Sequence, residues 1–147
     1  MSMLELSRYL FLMGALLYII LGLAHVAVTP QSPADAKGMS PTDPAVRDTM
    51  AHDTVLLTRR TTLWLVWVGL NLSHSLGVLL VGVVVMLIGR TSASFQAQAA
   101  VFLPLAVLVS AAYLVLGFRY WFRTPIIGIS LASVCFLVSW VLFARAR

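Results

Sequence analysis

Two histidines, His25 and His74, lie inside long apolar segments of this 147-residue chain. An ionisable side chain at membrane depth costs free energy, so such a residue is by default a candidate for a functional site. Asn71 lies one helical turn before His74, while Tyr18 and Tyr113 place hydroxyl groups in the first and third apolar segments. These side chains could hydrogen-bond a quinone, a lipid-like molecule or a pigment between helices. All five are therefore our candidate ligand-binding residues.

A haem iron held by two histidines is the first cofactor to consider. Its two axial nitrogens must lie about 4 Å apart, since each metal–nitrogen bond is about 2 Å long. Counting helical rise from a shared membrane boundary places His25 about 6 Å below that boundary and His74 about 12 Å deeper than His25. This difference argues against a bis-histidine haem, whereas a single-histidine ligand to a haem or chlorin stays open. The sequence therefore favours no resident cofactor, with haem or a pigment as the alternative.

Metal-cluster and nucleophilic chemistry lack the residues that they need. No Asp or Glu lies in the apolar segments, whereas carboxylate-bridged di-iron sites require several, and a zinc site would require more Cys or His. Ser73 and Ser75 flank His74 but do not face it, because adjacent helical residues point apart. The thiol of Cys135 is in apolar surroundings, which disfavour the reactive thiolate. We expect no metal site and no catalytic residues, and the sequence leans against an enzyme.

The apolar composition of the chain determines its class. The chain is 61% hydrophobic and 10% charged, with a mean hydropathy of +0.97, whereas a soluble domain has about 25% charged residues. Four runs are close to or above the roughly 20 residues that span a bilayer as a helix. They are residues 9–28, 62–88, 99–118 and 125–143. We predict an all-α integral membrane bundle of four transmembrane helices with antiparallel neighbours, forming a single domain over residues 1–147.

The basic residues agree with a membrane location. The net charge is +5, and most basic side chains lie at the ends of the apolar runs, where they anchor helices at lipid headgroups. They are Arg8, Arg59, Arg60, Arg90, Arg119, Arg123, Arg145 and Arg147. This placement implies membrane lipid as a partner and argues against nucleic acid. A cleavable signal peptide is the rival interpretation of the first run, but that run is longer than a usual h-region of about 7–15 residues.

Both termini are expected on the same side of the membrane, because the chain has four spans. The positive charges near the two membrane faces are balanced. Arg8 precedes the first run, and the residues directly after that run carry no positive charge. This asymmetry favours cytoplasmic termini.

A polar segment, residues 29–61, separates the first two runs. Its prolines exclude helix from most of the first half. Asp43 and Pro44 then match a helix N-cap followed by proline at the first helical position. An apolar stripe follows, so we predict a short amphipathic helix over residues 44–58, before the second span. The stripe consists of Val46, Met50 and Leu57.

Small residues recur at helical spacing in the runs, which allows helix backbones to approach closely in lipid. One face of the second run carries Asn71 and Gly82, and the opposite face carries a ridge of Gly69, Ser73 and Gly77. Two such faces require a second neighbour, so we expect a protein partner or a homo-oligomer through this span. The residues expected to pack helices are Gly14, Gly22, Gly69, Ser73, Gly77, Gly82, Gly117 and Gly128.

Depth estimates also predict a polar layer near the bilayer centre. Tyr18, Asn71, Ser110 and Cys135 lie about 13–16 Å below the same boundary, with His74 slightly deeper. Asn71 and His74 could instead bond neighbouring helices and fix their register, with each bond contributing about 0.6–2 kcal/mol. A ligand role and an interhelical role both stay open.

Four segments carry a resemblance to a known group of proteins. They are residues 22–25 (GLAH), 60–64 (RTTLW), 69–77 (GLNLSHSLG) and 119–125 (RYWFRTP). Through them the chain resembles a family of small bacterial four-span membrane proteins with no assigned biochemical role. The resemblance implies a four-helix fold in a bacterial cytoplasmic membrane, and it transfers no catalytic or binding residues.

Two functions follow from these patterns. The first is a structural or accessory subunit of a larger membrane complex, or a homo-oligomer, because the second span has two packing faces and no catalytic constellation is present. The alternative is a membrane-embedded binder of a small hydrophobic ligand or cofactor, namely a quinone, a lipid-like molecule, a pigment or a haem. That ligand would occupy the mid-membrane polar layer.

Overall fold

The structure is a computed structural model that describes residues 1–146; Arg147, expected as an anchor after the last span, lies outside the described residues. The described chain forms five helices and one small hairpin. In chain order these are α1 (Met3–Val28), α2 (Pro44–His52), β1 (Thr54–Val55), β2 (Thr58–Thr62), α3 (Leu63–Gly89), α4 (Ser92–Tyr120) and α5 (Arg123–Arg145). Four of the helices, α1, α3, α4 and α5, are long and apolar enough to cross a membrane. The prediction of an all-α bundle of four transmembrane helices is confirmed.

Three of the spanning helices, α1, α4 and α5, extend beyond the apolar runs that predicted them, whereas α3 matches its run to within one residue at each end. Helix α4 begins at Ser92 rather than at residue 99, because Thr91 caps it and the Thr91 hydroxyl accepts a hydrogen bond from the Ser94 N–H at 3.1 Å. Hydropathy marks the part of a helix that lies in hydrocarbon, whereas a capped backbone continues the helix into the polar headgroup layer. The turns between α3, α4 and α5 are correspondingly tight.

The predicted amphipathic helix begins where expected and ends early. Pro44 occupies the first turn of α2, and the Asp43 carboxylate accepts a hydrogen bond from the Ala45 N–H at 2.8 Å. The predicted end at residue 58 is wrong, because α2 stops at His52 and Asp53 has an extended backbone.

An antiparallel hairpin of β1 and β2 replaces the second half of that predicted helix. Its strands are rich in β-branched Thr and Val, which favour strands over helices. Leu57, assigned to the apolar stripe, is 95% exposed at the hairpin turn. The Leu63 N–H donates to the Asp53 carbonyl at 2.9 Å, so the base of the hairpin is joined to the start of α3.

The chain divides into two compact units, both of which include parts of α1 and α3. The bundle unit consists of Met1–Leu21 and the residues from Val78 onward, and the histidine unit consists of Gly22–Gly77. The expectation of a single membrane domain over residues 1–147 stays a prediction.

Aromatic rings fill the core of the bundle unit. Phe11 of α1 contacts Phe95 of α4 and Phe136 of α5, with ring centroids 5.5 and 5.9 Å apart. A Cβ atom on Gly14 would lie 2.5 Å from the Phe136 ring, so only glycine admits this ring. The expected packing role of Gly14 therefore has a specific partner.

A reciprocal pair of serines links α1 to α5 in the same unit. The Ser7 hydroxyl lies 2.8 Å from the Ser139 carbonyl oxygen, and the Ser139 hydroxyl lies 2.7 Å from the Ser7 carbonyl oxygen. Both residues are fully buried. Because interhelical hydrogen bonds in lipid contribute modest free energy, about 0.6 kcal/mol on average, this serine clamp acts mainly on helix register.

The other small residues differ in their surroundings. Three of the predicted packing glycines would place a Cβ against a neighbouring side chain, Gly82 against Ile19, Gly117 against Ile126 and Gly128 against Leu21. Gly22 is buried and Gly77 half-buried. Gly69 has nothing within 4 Å of its Cβ position, and Ser73 is exposed with its hydroxyl bonded to the Leu70 carbonyl of its own helix.

Candidate ligand site in the membrane helices

The two intramembrane histidines meet in the histidine unit. The ring centroids of His25 on α1 and His74 on α3 lie 5.1 Å apart, and the ring planes are inclined by 64°. Both residues are half-buried. The predicted depth difference of about 12 Å between them is therefore wrong.

That estimate failed because it assumed that α1 and α3 end at the same level. His25 lies close to the end of α1 at Val28, whereas His74 lies well inside α3, which begins at Leu63. At about 1.5 Å rise per residue, contact between the two rings requires α3 to begin about 12 Å beyond the end of α1 when the axes run side by side. Trp64 lies on this projecting part of α3.

Asn71 fixes the orientation of His25. The Asn71 side-chain Nδ2–H donates to the Trp67 carbonyl at 2.8 Å, and the Asn71 Oδ1 lies 3.1 Å from the His25 Nε2. Because the Trp67 carbonyl can only accept, the amide must turn its oxygen toward His25. The His25 Nε2 therefore carries the proton and donates it, which leaves the lone pair of a neutral ring on Nδ1.

The polar segment holds the end of α1 beside this site. The Thr29 hydroxyl donates to the His25 carbonyl at 2.7 Å, and Thr29 is fully buried. The Met39 N–H donates to the Val28 carbonyl at 3.2 Å. Gly38 permits this return with a φ of 48°, and a Cβ there would collide with the Val28 carbonyl oxygen. The backbone around His25 is thus fixed from two sides.

Two tryptophans precede Asn71 and His74 on α3. The rings of Trp64 and Trp67 have centroids 5.3 Å apart, and Trp64 is 2% exposed. The indole Nε1–H of Trp64 is buried and makes no hydrogen bond. The spacing of Trp64, Trp67, Asn71 and His74 places all four on one face of α3. The deep burial of Trp64 had no signal in the sequence.

The remaining candidates meet in the bundle unit. The Tyr18 hydroxyl and the Ser110 hydroxyl lie 2.8 Å apart, and both residues are buried. Tyr113 packs edge-on against Tyr18 with ring centroids 6.1 Å apart. Within the predicted polar layer, Tyr18 therefore contacts Ser110, and it also packs against Tyr113, which was not in that layer. Asn71 and His74, also of that layer, contact His25. Cys135 is half-buried on α5.

A bis-histidine haem does not fit the histidine pair. Two imidazoles on opposite sides of one iron have centroids about 6.4 Å apart, given bonds of about 2 Å, and the porphyrin plane lies between them. The edge-on contact at 5.1 Å leaves no space for that plane. Within residues 1–146, no three side chains of the His, Cys, Asp and Glu types are grouped as metal ligands. The third histidine, His52, is exposed on α2 beside Asp48, 3.4 Å away.

Four apolar spanning helices with a converging polar site define a polytopic α-helical membrane protein. No protein-family model matches the sequence, and no curated protein or solved structure is significantly similar to it.

Proposed function

We propose that this protein is a membrane-embedded binder of a small ligand or cofactor, held by His25, Asn71 and His74. The observation that carries this proposal is the 5.1 Å contact between two histidine rings from different spanning helices. Ionisable residues within a membrane are costly, and they converge mainly where a protein binds or moves something. The depth difference that argued against a shared site is removed by this contact.

The site has the features that a small ligand requires. Asn71 fixes the His25 ring, and both histidines are only half-buried. The site lies one turn from the end of α1, which gives access from the membrane interface. Quinones, lipid-like molecules, pigments and a haem bound through one histidine are the ligand classes that we propose to search for.

The test is the content of the protein after gentle extraction from its native membrane. We expect a small molecule or ion in near-stoichiometric amount in the wild-type protein and its loss from the His74→Ala protein. His52→Ala is the matched control, because it removes an exposed histidine outside the site and should leave the content unchanged. Equal content in all three proteins would contradict the proposal.

Assembly with another chain is the second candidate function, as a homo-oligomer or as an accessory subunit of a larger complex. It is supported by the exposed position of Gly69 and Ser73 on α3, where Gly69 has no neighbour within 4 Å. Small residues on a lipid-facing surface allow a second helix to approach closely. Leu65 and Leu76, both exposed, flank them on the same face.

This second function is tested by the size of the protein in lipid nanodiscs. Gly69→Leu should reduce an oligomer to monomers by blocking close approach of a second helix. Leu108→Phe adds bulk to an exposed position on α4 and is the matched control. A monomeric wild-type protein without any co-purifying subunit would contradict this function.

For the location, we propose a bacterial cytoplasmic membrane with both termini in the cytoplasm. The family resemblance of residues 69–77 supports the bacterial membrane. Arg8 supports the orientation, because its guanidinium lies at the end of α3 and donates to the Gly89 carbonyl at 3.2 Å. An impermeant thiol reagent added from outside should label a Lys37→Cys variant and should not label a Ser2→Cys variant, each in a Cys135→Ser background. The reverse pattern would overturn the orientation.

A further inference from the structure

We propose that the bundle unit binds one anionic phospholipid, with an acyl chain in a groove between α3 and α4 and the phosphate beside Arg90. This inference does not depend on the candidate ligand site, because that site belongs to the histidine unit. The α3–α4 groove has a volume of about 210 Å³, and every residue that lines it is apolar. Its walls include Val81, Val84 and Val85 on α3 and Phe102, Ala106 and Val109 on α4.

The size and chemistry of the α3–α4 groove match a hydrocarbon chain. An engineered apolar cavity of about 150 Å³ stays dry and binds benzene. The groove is larger, at about 210 Å³, and no polar side chain lines it, so it holds a longer piece of hydrocarbon and no water. Ala106 is the smallest lining residue and is 3% exposed, so its short side chain leaves the space open. Because both helices span the membrane, the hydrocarbon at hand is a lipid chain.

The groove lies at the depth that the acyl chain of a lipid would reach from the turn between α3 and α4. Val85 lies five residues before Arg90, and Val81 lies nine residues before it. At about 1.5 Å rise per residue, these positions are about 8 and 14 Å below the turn. The headgroup of a lipid lies at the edge of the hydrocarbon and its chains extend inward, so a phosphate at Arg90 places its chains at the level of the groove.

The same turn carries positive charge that no carboxylate neutralises. Arg90 is exposed, and within residues 1–146 no salt bridge joins Arg8 or Arg90 to an acidic side chain. Glu5, on the helix that carries Arg8, instead accepts hydrogen bonds from Ser2. The Arg8 Nη1 donates to the Gly89 carbonyl at 3.2 Å and to the Arg90 carbonyl at 3.5 Å, which offsets the partial negative charge at the end of α3. The Arg90 guanidinium is thus placed for an anion.

The start of α4 supplies further donors for a phosphate at this turn. The Thr91 hydroxyl accepts a hydrogen bond from the Ser94 N–H at 3.1 Å, whereas the N–H groups of Ser92 and Ala93 have no acceptor inside the helix. A helix N-terminus carries partial positive charge and favours phosphate. Charge here and an apolar groove below match the two parts of an anionic phospholipid. The unneutralised charge of Arg90 favours this occupant over a helix of a second copy.

Lipid titration of the full-length protein in mixed micelles, measured by native mass spectrometry, tests the phosphate site. We expect one phosphatidylglycerol per chain, bound more tightly than phosphatidylcholine with the same acyl chains. Arg90→Gln should weaken phosphatidylglycerol binding about fivefold, the equivalent of about 1 kcal/mol for one basic side chain near the membrane surface. Arg119→Gln, at the other end of α4, is the matched control and should not weaken it. Equal losses in the two variants, or no preference for phosphatidylglycerol in the wild-type protein, would overturn the phosphate site.

The groove is tested by filling it. Ala106→Leu should weaken the binding of both lipids about tenfold, because the added bulk overpacks the occupied groove. Leu108→Phe, at an exposed position of the same helix, should bind as the wild-type protein does. His74→Ala should also leave phospholipid binding unchanged, so a retained phospholipid is distinct from a ligand that this variant loses. Unchanged lipid binding in Ala106→Leu would overturn the groove.

Photochemical cross-linking of the wild-type protein avoids any dependence on how the variants fold. A phosphatidylglycerol with a photoreactive group on its acyl chain should label mainly the peptides that contain residues 80–85 and 102–109. Labelling spread evenly over the exposed faces of the four spanning helices would show only bulk lipid and would overturn the proposal. Displacement of the lipid from these peptides by a second copy of the chain, detected as a dimer cross-linked through them, would also overturn it.

Discussion

The imidazole rings of His25 and His74 are in edge-on contact, 5.1 Å between centroids, although helical rise counted from the helix ends would place them about 12 Å apart. The contact shows that α3 starts beyond the end of α1. It also places two titratable side chains from separate spanning helices at one point.

Asn71→Leu should affect both binding and stability. The substitution removes the hydrogen bond to His25 and leaves the His25 Nε2–H without its acceptor. We expect a loss of about 0.6–2 kcal/mol in free energy of unfolding, the range for interhelical bonds in membranes. Reversible denaturation in mixed micelles measures this loss. Ser73→Ala, which removes only a bond within α3, should change stability by less, and equal effects would contradict the assigned role of Asn71.

The serine clamp should show energetic coupling. Ser7→Ala and Ser139→Ala each break the reciprocal bonds between α1 and α5. The second substitution then has little left to remove, so the double variant should lose less stability than the sum of the single variants. A double-mutant cycle should give a coupling of about 0.5–1.7 kcal/mol. Simple additivity would show that the two serines act independently.

Gly14→Ala and Gly69→Ala form a matched pair with opposite expected results. A Cβ at Gly14 would lie 2.5 Å from the Phe136 ring, whereas a Cβ at Gly69 meets nothing within 4 Å. Overpacking should cost Gly14→Ala about 1–3 kcal/mol. Gly69→Ala should be neutral or stabilising by up to about 1 kcal/mol, because alanine has the higher helix propensity. Thermal unfolding measures the stability of both variants, and a greater loss of stability in Gly69→Ala than in Gly14→Ala would contradict the described packing.

Tyr18→Phe should lower the free energy of unfolding slightly, and Tyr18→Ala should lower it strongly. The phenylalanine keeps the ring contacts with Tyr113 and Phe136 and loses only the hydrogen bond to Ser110. We expect a loss of about 0.5–1.5 kcal/mol for that bond and about 3–5 kcal/mol for the alanine cavity. The free energy of unfolding in micelles measures both. If Tyr18→Phe instead abolished ligand content while stability held, Tyr18 would belong to the binding site.

Much of the fold could be predicted because the bilayer restricts the choices. A long apolar run must form a helix in lipid, so the four spans and their approximate bounds follow from hydropathy. The Asp43-Pro44 start of α2 has a local physical cause and was likewise predictable. The apolar spacing of Val46, Met50 and Leu57 predicts a helix, whereas the β-branched residues around Leu57 favour the hairpin that the chain forms after α2.

The candidate site was identified by residue type, whereas its geometry was not predictable. His25 and His74 are candidates because an ionisable side chain inside a membrane costs free energy. Their contact, however, depends on how far α3 projects beyond the end of α1, and hydropathy does not determine that offset. The serine clamp was not predictable for a related reason, because Ser7 precedes the first apolar run and hydropathy alone does not place it in a membrane helix.

Mass analysis of the intact protein, released from native-lipid nanodiscs, is the decisive measurement for a ligand site at His25 and His74. We expect the wild-type and His52→Ala proteins each to carry an added mass from one bound ligand. The His25→Ala/His74→Ala double variant should be recovered folded and without that mass. The same added mass on all three proteins, or none on the wild-type protein, would contradict a ligand site at the two histidines.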